Sequence, residues 1–264
     1  MPTVDKTAVN PRGTRIHFSE KEHLYWTDFK PSELVVLDQV FPVNYQSVTT
    51  MLKHHFEPFD EKATAARVAA QRGVPVAMVL TEWELTRNTA CRFGTRVHAV
   101  CEDCLNGKPP RFAPEHAKER NVMRHGWEFA SNVRKEMTVI GAEMIVFHEA
   151  LQLAGTIDFA ARDKQGVLWL MDWKTNKEIR TVNHYGKTGL GVIAHLPDCE
   201  MTKYALQLST YETILKAEGY IGRGEKVNRA IVHLTEAGAV LMTTPNYGVE
   251  VCHIILEMAT ALPF

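Results

Sequence analysis

Residues 154–177, AGTIDFAARDKQGVLWLMDWKTNK, contain two apolar strands joined by a tight turn. The turn is expected at Gln165, and Asp158 and Asp172 each lie seven residues from it. In a hairpin with this register the two carboxylates face each other, with Cβ atoms roughly 5 Å apart. Lys174 follows two residues after Asp172 and is therefore expected on the same face of its strand.

Two carboxylates held this close in an apolar sheet repel each other unless a cation lies between them. Hard divalent cations prefer carboxylate oxygens, so the hairpin predicts a site for such a cation. The ammonium group of Lys174 does not bind metal while it is protonated, but it can polarise an anionic substrate or hold an attacking water. The alternative is a solvent-exposed hairpin on which Lys174 only neutralises Asp172.

The patterns around this hairpin predict the fold class. Helices are expected over 47–55, 60–73, 76–105, 114–135, 201–217 and 249–261. Strands are expected over 143–150, 153–161, 167–174, 228–234 and 239–244. Weaker strand patterns at 15–18, 23–27 and 34–37 indicate a small N-terminal β appendage over 1–46, followed by one domain over 47–264. This order predicts an α/β (α+β) fold with a central mixed β-sheet flanked by helices.

The composition excludes several classes of protein. Of the 264 residues 45% are hydrophobic and 23% charged, which are globular proportions and argue against disorder. No run approaches the ~18 apolar residues of a membrane span, and the polar N-terminus lacks the apolar region of a secretion signal. Five cysteines, an odd number, favour a reducing cytoplasm over a disulfide scaffold. The net charge of −1 argues against non-specific coating of nucleic acid but allows a local basic groove.

A histidine on the long helix over 76–105 is the third candidate ligand. His98 and Glu102 are four residues apart and therefore point the same way from the helix. In the functional interpretation His98 binds metal and Glu102 orients it, and the alternative is an ordinary helical pair. Gly94 costs a helix about 1 kcal/mol relative to alanine, which is explained if the helix backbone packs close to the sheet.

Four motifs in the chain resemble those of the RecB-like exonuclease branch of the PD-(D/E)XK nuclease superfamily. That branch carries G-x-x-x-H on a helix, G-x-x-D and D/E-x-K on two strands, and Q-x-x-x-Y on a following helix. The matching residues here are, in the same order, Gly94 and His98, Gly155 and Asp158, Asp172 and Lys174, and Gln207 and Tyr211. The resemblance covers about 47–244 and implies a restriction-endonuclease-like core.

The resemblance implies a metal-dependent DNA exonuclease. His98, Asp158 and Asp172 would bind one or two Mg²⁺ or Mn²⁺ ions, and the main-chain carbonyl of Trp173 would complete the protein ligands. The metal would polarise a phosphoryl oxygen and make a water acidic enough to lose its proton near neutral pH.

The same resemblance assigns roles to the residues beside the metal. Lys174 would position the attacking water and stabilise charge on the scissile phosphate. Gln207 and Tyr211, one helical turn apart, would contact DNA or order the surroundings of Lys174. Glu102 or Glu143 would supply an oxygen to a second ion, although Glu143 is expected to be a surface residue of an edge strand.

Two basic regions are candidates for contacts with nucleic acid. The helical N-terminal half carries arginines near His98, and the connection after Lys174 is basic and contains several glycines. A flexible basic segment next to the metal site is well placed to follow a phosphate backbone, and the alternative is a surface loop without contacts. The candidates are Arg92, Arg96, Lys177, Arg180, Tyr185 and Lys187.

The cysteine pair Cys101 and Cys104 lies on the same helix as His98. Some relatives in the branch hold an iron–sulfur cluster through an early cysteine and a C-terminal cysteine triplet, but here only Cys199 and Cys252 follow, far apart. We therefore expect no iron–sulfur cluster and expect the pair to pack in the core of the helix layer.

The leading hypothesis is a Mg²⁺- or Mn²⁺-dependent DNA exonuclease acting on an end or a single strand. A structure-specific endonuclease on the same fold is the second hypothesis, because a fold does not determine end-dependence. An inactive DNA-binding scaffold is the third. DNA is the expected partner, with no membrane and with a recombination or replication protein as a further candidate. The expected compartment is the cytoplasm, which would be the host's if the chain is phage-encoded.

Overall fold

The computed structural model describes residues 2–29 and 41–261. The strands within these ranges are β1 (Lys6–Val9), β2 (Arg15–Ser19), β3 (Leu24–Phe29), β4 (Phe41–Ser47), β5 (Thr138–His148), β6 (Leu153–Arg162), β7 (Leu168–Lys174), β8 (Val227–Thr235) and β9 (Gly238–Thr243). The helices are α1 (Val48–Lys53), α2 (Glu61–Arg72), α3 (Val76–Leu105), α4 (Ala117–Glu136), α5 (Glu200–Ala217) and α6 (Gly248–Ala261). The strand pattern at 34–37 lies outside the described residues.

The predicted mixed α/β fold with helices around a central sheet is confirmed. The strands follow the order β1-β2-β3-β4-β6-β7-β8-β9, and β5 also pairs with β6. The β4–β6 and β7–β8 pairs are parallel, and the other pairs are antiparallel. Among the helices within the described ranges, none is both long and apolar enough to cross a bilayer.

Strand β4 links the N-terminal strands to the centre of the sheet. It pairs antiparallel with β3 along its length and parallel with β6 at residues 46 and 47. The domain boundary predicted between these two residues therefore falls inside a strand. The N-terminal strands extend the central sheet.

The sequence pattern predicts neither β1 nor β4, and it starts β5 five residues late. Strand β1 has only four residues, and β4 contains Pro42 and Asn44, which disfavour strands. In β5 the pairing with β6 shifts between Val139 and Gly141, which interrupts the expected alternation of side chains. These three errors have local causes and do not alter the fold class.

Helix boundaries near the candidate site follow their capping signals. The side chains of Ser47 and Asp60 each accept a hydrogen bond from the backbone N–H three residues later, at the starts of α1 and α2. Helix α2 ends at Gly73, whose φ of 66° lies in the left-handed region that glycine adopts readily. Helix α3 then spans its predicted length without a break.

Helices cover both faces of the central strands. Leu208 of α5 and Ile157 of β6 belong to one buried cluster, which also includes residues of α1 and α6. Val97, Cys101 and Cys104 of α3 belong to a second cluster on the other face, so the core packing predicted for the two cysteines is confirmed. Burial of each large apolar side chain contributes about 1.5–3 kcal/mol. This packing holds α3 and α5, which carry the candidate site residues, against the same strands.

Candidate metal centre

Strands β6 and β7 stop pairing immediately before the two predicted metal-binding aspartates. The predicted register is confirmed where the strands pair, and Phe159 opposite Met171 is the last pair. Asp158 and Asp172 occupy the next positions. On the same edge of β6, β4 pairs only at residues 153 and 154. Among the described strands, β6 therefore has no partner on this edge between its two neighbours, and the sheet forks there.

At this fork, the side chain of Asp158 takes the place of a strand partner. Its Oδ2 accepts a hydrogen bond of 2.7 Å from the backbone N–H of Trp173 and lies 3.5 Å from Nδ1 of His98. The Nε2 of His98 lies 3.1 Å from the carbonyl oxygen of Trp173. In the tautomer that donates from Nε2, the Nδ1 atom carries no proton, so its lone pair faces Asp158. The carbonyl predicted as a metal ligand thus accepts a hydrogen bond from His98, the contact that typically orients a metal-binding imidazole.

Glu143 completes a group of three residues that could hold a metal ion. Its strand β5 lies at an edge as predicted, since it pairs only with β6 among the described strands, but the Glu143 side chain is half-buried. One ligand atom each from His98, Glu143 and Asp158 lies within 4.8 Å of the others. Only 23% of the Glu143 side chain is exposed. A signal for it was available in the sequence, because Glu143 is the only acidic residue of β5.

The backbone at Glu143 is strained. Its φ is 50°, a left-handed conformation that non-glycine residues rarely adopt, in the middle of a strand. Strain of this kind costs on the order of 1–3 kcal/mol and occurs preferentially at functional sites. The neighbours Ala142 and Met144 pair with Phe159 and Ile157, so Glu143 lies across from Asp158.

A lysine from the N-terminal strands reaches the same group. Lys6 of β1 places its Nζ 3.5 Å from Oε2 of Glu143 and 3.2 Å from Oε1 of Glu20. None of the four motifs indicates this contact. The appendage predicted as a separate unit therefore contributes a positive charge to the carboxylate group.

Asp172 belongs to a second group of contacts beside the first, and its charge raises the pKa of Asp158. The ligand set of His98, Asp158 and Asp172 stays a prediction. Asp172 is buried, pairs with Nζ of Lys174, and accepts a 3.4 Å hydrogen bond from Nε2 of Gln207. It is not among the three mutually close ligand residues in the described part of the chain. Strands β6 and β7 stop pairing before Asp158 and Asp172. The two carboxylates are therefore not held together by the strand ladder, and each forms hydrogen bonds with different residues.

Tyr211 supports this second group from within the core. Nε2 of Gln207 donates a 3.1 Å hydrogen bond to its hydroxyl, and only 2% of Tyr211 is exposed. Tyr211 is therefore inaccessible at the surface and contacts the Asp172 and Lys174 pair through Gln207. A Cβ atom at Gly155 would lie 2.6 Å from Cε1 of Tyr211, so glycine is required for the ring to pack on β6.

Two other residues of α3 have contacts that differ from those expected. The carboxylate of Glu102 lies 3.4 Å from Nη2 of Arg111, and no hydrogen bond joins it to His98 among the described contacts. A Cβ atom at Gly94 would meet Oγ1 of Thr175 at 3.6 Å, an ordinary contact. The close packing expected to explain Gly94 is therefore not present.

Removal from water controls the protonation of the site. Burial, followed by the charge of Asp172, raises the pKa of Asp158 well above its usual range. Burial and the charge of Asp158 also raise the pKa of Glu143, and burial lowers the pKa of His98. Burial acts to lower the pKa of Lys174, but the charges of Asp172 and Asp158 outweigh it and raise that pKa. The site thus combines a neutral imidazole, a fixed ammonium group and carboxylates that a divalent cation would help to ionise.

The predicted arginines on α3 differ in accessibility. Nη1 of Arg96 lies 2.8 Å from Oε1 of Glu115, and its Nη2 lies 2.8 Å from Oε1 of Glu119. Its guanidinium is therefore occupied by two carboxylates. Arg92 is 3.9 Å from Glu115 and keeps 63% of its side chain exposed. Of the two, Arg92 has the more accessible guanidinium.

The residues predicted to contact nucleic acid in the connection after β7 also differ from one another in their contacts. Nε of Arg180 donates to Glu200 at 2.8 Å, and Nζ of Lys187 donates to Glu57 at 2.8 Å. Lys177 and Tyr185 are exposed, Tyr185 by 86%. The connection is therefore held by ion pairs at two points while other side chains face solvent.

Comparison with protein-family models and with curated proteins gives no match to this sequence. The four motifs remain a resemblance. A function is supported by geometry instead: the fork in the sheet, the three residues that could hold a metal ion, and the ion pair between Lys174 and Asp172.

Proposed function

We propose that this chain is a divalent-metal-dependent deoxyribonuclease that hydrolyses phosphodiester bonds at DNA ends or in single strands. The observation that carries the proposal is the group formed by His98, Glu143 and Asp158 beside the half-buried Lys174. Two ligands on opposite sides of one Mg²⁺ ion are about 4.2 Å apart, twice the metal–oxygen distance. The three ligand atoms lie within 4.8 Å of one another, so small side-chain movements would bring them to one ion. The two carboxylates of this donor set suit Mg²⁺ or Mn²⁺, and the imidazole is a ligand that transition metals accept more readily than Mg²⁺.

Several residues of the chain would contribute to hydrolysis, each in a different way. When bound, the ion supplies a Lewis acid for a phosphoryl oxygen and makes an attacking water more acidic. Lys174 keeps its ammonium charge and stabilises the charge that develops on the phosphate. Asp172 fixes that ammonium group, and Gln207 fixes Asp172 through the 3.4 Å hydrogen bond. His98 donates to the Trp173 carbonyl and keeps its other nitrogen for the ion.

The buried charges favour an enzyme over an inactive scaffold. Asp172 and Lys174 form an ion pair with little exposure, and Asp158 and Glu143 lie close to it. Burying charged groups in this way is costly and rarely improves stability over apolar packing. A module that only binds DNA has no need for this arrangement, whereas phosphoryl transfer uses a fixed cation in a water-poor site.

The test compares linear DNA with covalently closed circular DNA in the presence of Mg²⁺ or Mn²⁺. We expect linear DNA to be degraded and closed circles to survive. Lys174→Ala should lower the rate by well over about 100-fold. Lys164→Ala is the matched control, because Lys164 lies in the turn of the same hairpin with 70% of its side chain exposed.

Two outcomes would contradict the proposal. Cleavage of closed circles would replace the exonuclease with the structure-specific endonuclease. Failure of the folded protein to cleave DNA or RNA with either metal would favour the scaffold.

A further inference from the structure

A cleft of about 1350 Å³ opens next to Lys174 between α1, α2, the connection after β7, and α5. Tyr204 and Gln207 of α5 line the cleft. The ammonium group of Lys174 lies 4.6 Å from the centroid of the Tyr204 ring, and Gln207 donates to Asp172. The cleft therefore leads directly to the residues that we place at the phosphate.

Two strongly exposed aromatic side chains line this cleft. Phe59 is 67% exposed and Tyr185 is 86% exposed. Aromatic side chains normally contribute to stability by burying a large area, so exposing two in one cleft calls for a ligand that covers them. The Phe59 ring is supported by Trp83, with ring centroids 6.0 Å apart. A nucleic-acid base can stack on such a ring whatever its sequence, because every base has a π-face.

Two cations in the cleft are available to phosphates. Lys53 of α1 and Arg67 of α2 are exposed, and neither makes a salt bridge within the described part of the chain. The other cations of the cleft are held by carboxylates: Arg180 by Glu200, Lys187 by Glu57 and Lys203 by Asp198. No carboxylate pairs with Lys53 or Arg67 among the described contacts, and the carboxylate of Asp60, which also lines the cleft, caps the start of α2.

We infer that this cleft binds a single-stranded segment of DNA, with bases on Phe59 and Tyr185 and phosphates along Lys53 and Arg67. The inference rests on the proposed function and specifies the substrate of that site. Paired bases inside a duplex are stacked on one another and cannot cover two separate side chains, whereas the bases of a single strand can. None of the four motifs includes Phe59, Lys53 or Arg67, whereas Gln207 of the Q-x-x-x-Y motif lines the cleft.

The experiment measures binding separately from hydrolysis. Fluorescence anisotropy with a labelled oligothymidylate of about 20 nucleotides and with its duplex is performed in a metal chelator, so that no cleavage occurs. We expect the single strand to bind more tightly. Phe59→Ala and Tyr185→Ala should each weaken single-strand binding by roughly 5- to 150-fold, which corresponds to about 1–3 kcal/mol. Phe112→Ala is the matched control, because Phe112 is 41% exposed and lies outside the cleft.

The contribution of the two cations is measured through the salt dependence of binding. Lys53→Ala and Arg67→Ala should each reduce the slope of log affinity against log salt by about 0.7, the value for one phosphate contact on a single strand. Lys164→Ala should leave the slope unchanged.

The outcomes separate the inference from the proposed function. Loss of binding in the aromatic variants of a protein that hydrolyses nothing would support the cleft and refute the nuclease. Metal-dependent hydrolysis with unchanged single-strand binding in both aromatic variants would refute the cleft and leave the nuclease. Equal affinity for duplex and single strand would also overturn the inference.

Discussion

The carboxylate of Asp158 accepts a 2.7 Å hydrogen bond from the backbone N–H of Trp173 at the point where β6 and β7 cease to pair. A side chain thus satisfies a backbone donor that the strand ladder leaves open. The same carboxylate faces His98 and Glu143. The backbone at the end of the ladder therefore holds Asp158, the proposed metal ligand, in place. Loss of the Asp158 charge should raise the stability of the metal-free protein and weaken metal binding.

Asp158→Asn should stabilise the metal-free protein. The pKa of Asp158 is raised in the folded state, so the folded protein holds this proton more tightly than the unfolded chain. Such a group contributes stability that is present below the unfolded pKa and is lost as pH rises through the folded pKa. At neutral pH we expect a gain on the order of 1 kcal/mol, seen in a chelator as a melting temperature higher by roughly 2–4 °C. Metal binding should be lost.

Asp163→Asn is the control for this result. Asp163 lies in the same hairpin, but its hydrogen bond from Trp169 lowers its pKa, so its stabilising contribution is present above the unfolded pKa. Its substitution should lower the melting temperature at neutral pH. A lower melting temperature for Asp158→Asn as well would contradict the conclusion that burial raises the pKa of Asp158 at the fork.

Glu143→Gln should weaken Mn²⁺ binding by roughly 10- to 100-fold or more, because it removes one of the three ligand residues. Calorimetric titration with Mn²⁺ measures the effect. Glu20→Gln is the matched control, since Glu20 also contacts Lys6 but lies outside the ligand group. Equal affinity in the two variants would remove Glu143 from the site.

Metal affinity should increase with pH in the acidic range and then level off. Asp158 and Glu143 have raised pKa values and must lose their protons when the ion binds, whereas the lowered pKa of His98 keeps its ring neutral near pH 7. Titrations in buffers with different ionisation enthalpies should detect released protons at about pH 6. Affinity that is constant from about pH 5 to 8 would show that the carboxylates are already ionised.

Two glycine substitutions should act in opposite directions. Gly155→Ala places a Cβ atom 2.6 Å from the Tyr211 ring and should cost about 1–3 kcal/mol through overpacking. Gly94→Ala meets only an ordinary contact inside α3 and should stabilise by up to about 1 kcal/mol. Urea denaturation measures both. Adding Tyr211→Ala to Gly155→Ala should relieve the clash, and full additivity of the two changes would argue against it.

The parts of the site that could be predicted from the sequence depend on local geometry. The turn at Gln165 sets the hairpin register, and the apolar stripe of α3 sets the direction of His98. The division of Asp158 from Asp172 could not be predicted, because the point where two strands diverge depends on β4 and β7 sharing one edge of β6. Glu143 could be named as a candidate from the sequence, but its position across from Asp158 could not be predicted, because no strand pattern anticipates its left-handed backbone.

Contacts between distant parts of the chain were also beyond sequence reasoning. Lys6 and Glu143 are separated by 137 residues. The cleft depends on α1, α2 and α5, which lie in separate regions of the sequence. Motif spacing describes single elements and hairpins, whereas these arrangements follow from how the helices pack on the sheet.

The pairing of β4 with both β3 and β6 has a practical consequence for shortening the protein. A truncated version starting at residue 47, where the predicted second domain begins, would remove most of β4 and the ammonium group of Lys6 together. The edge of β6 beside Gly155 would then expose unpaired backbone groups, which invite aggregation. An isolated catalytic fragment of this kind should be poorly behaved in solution even though all four motifs are intact.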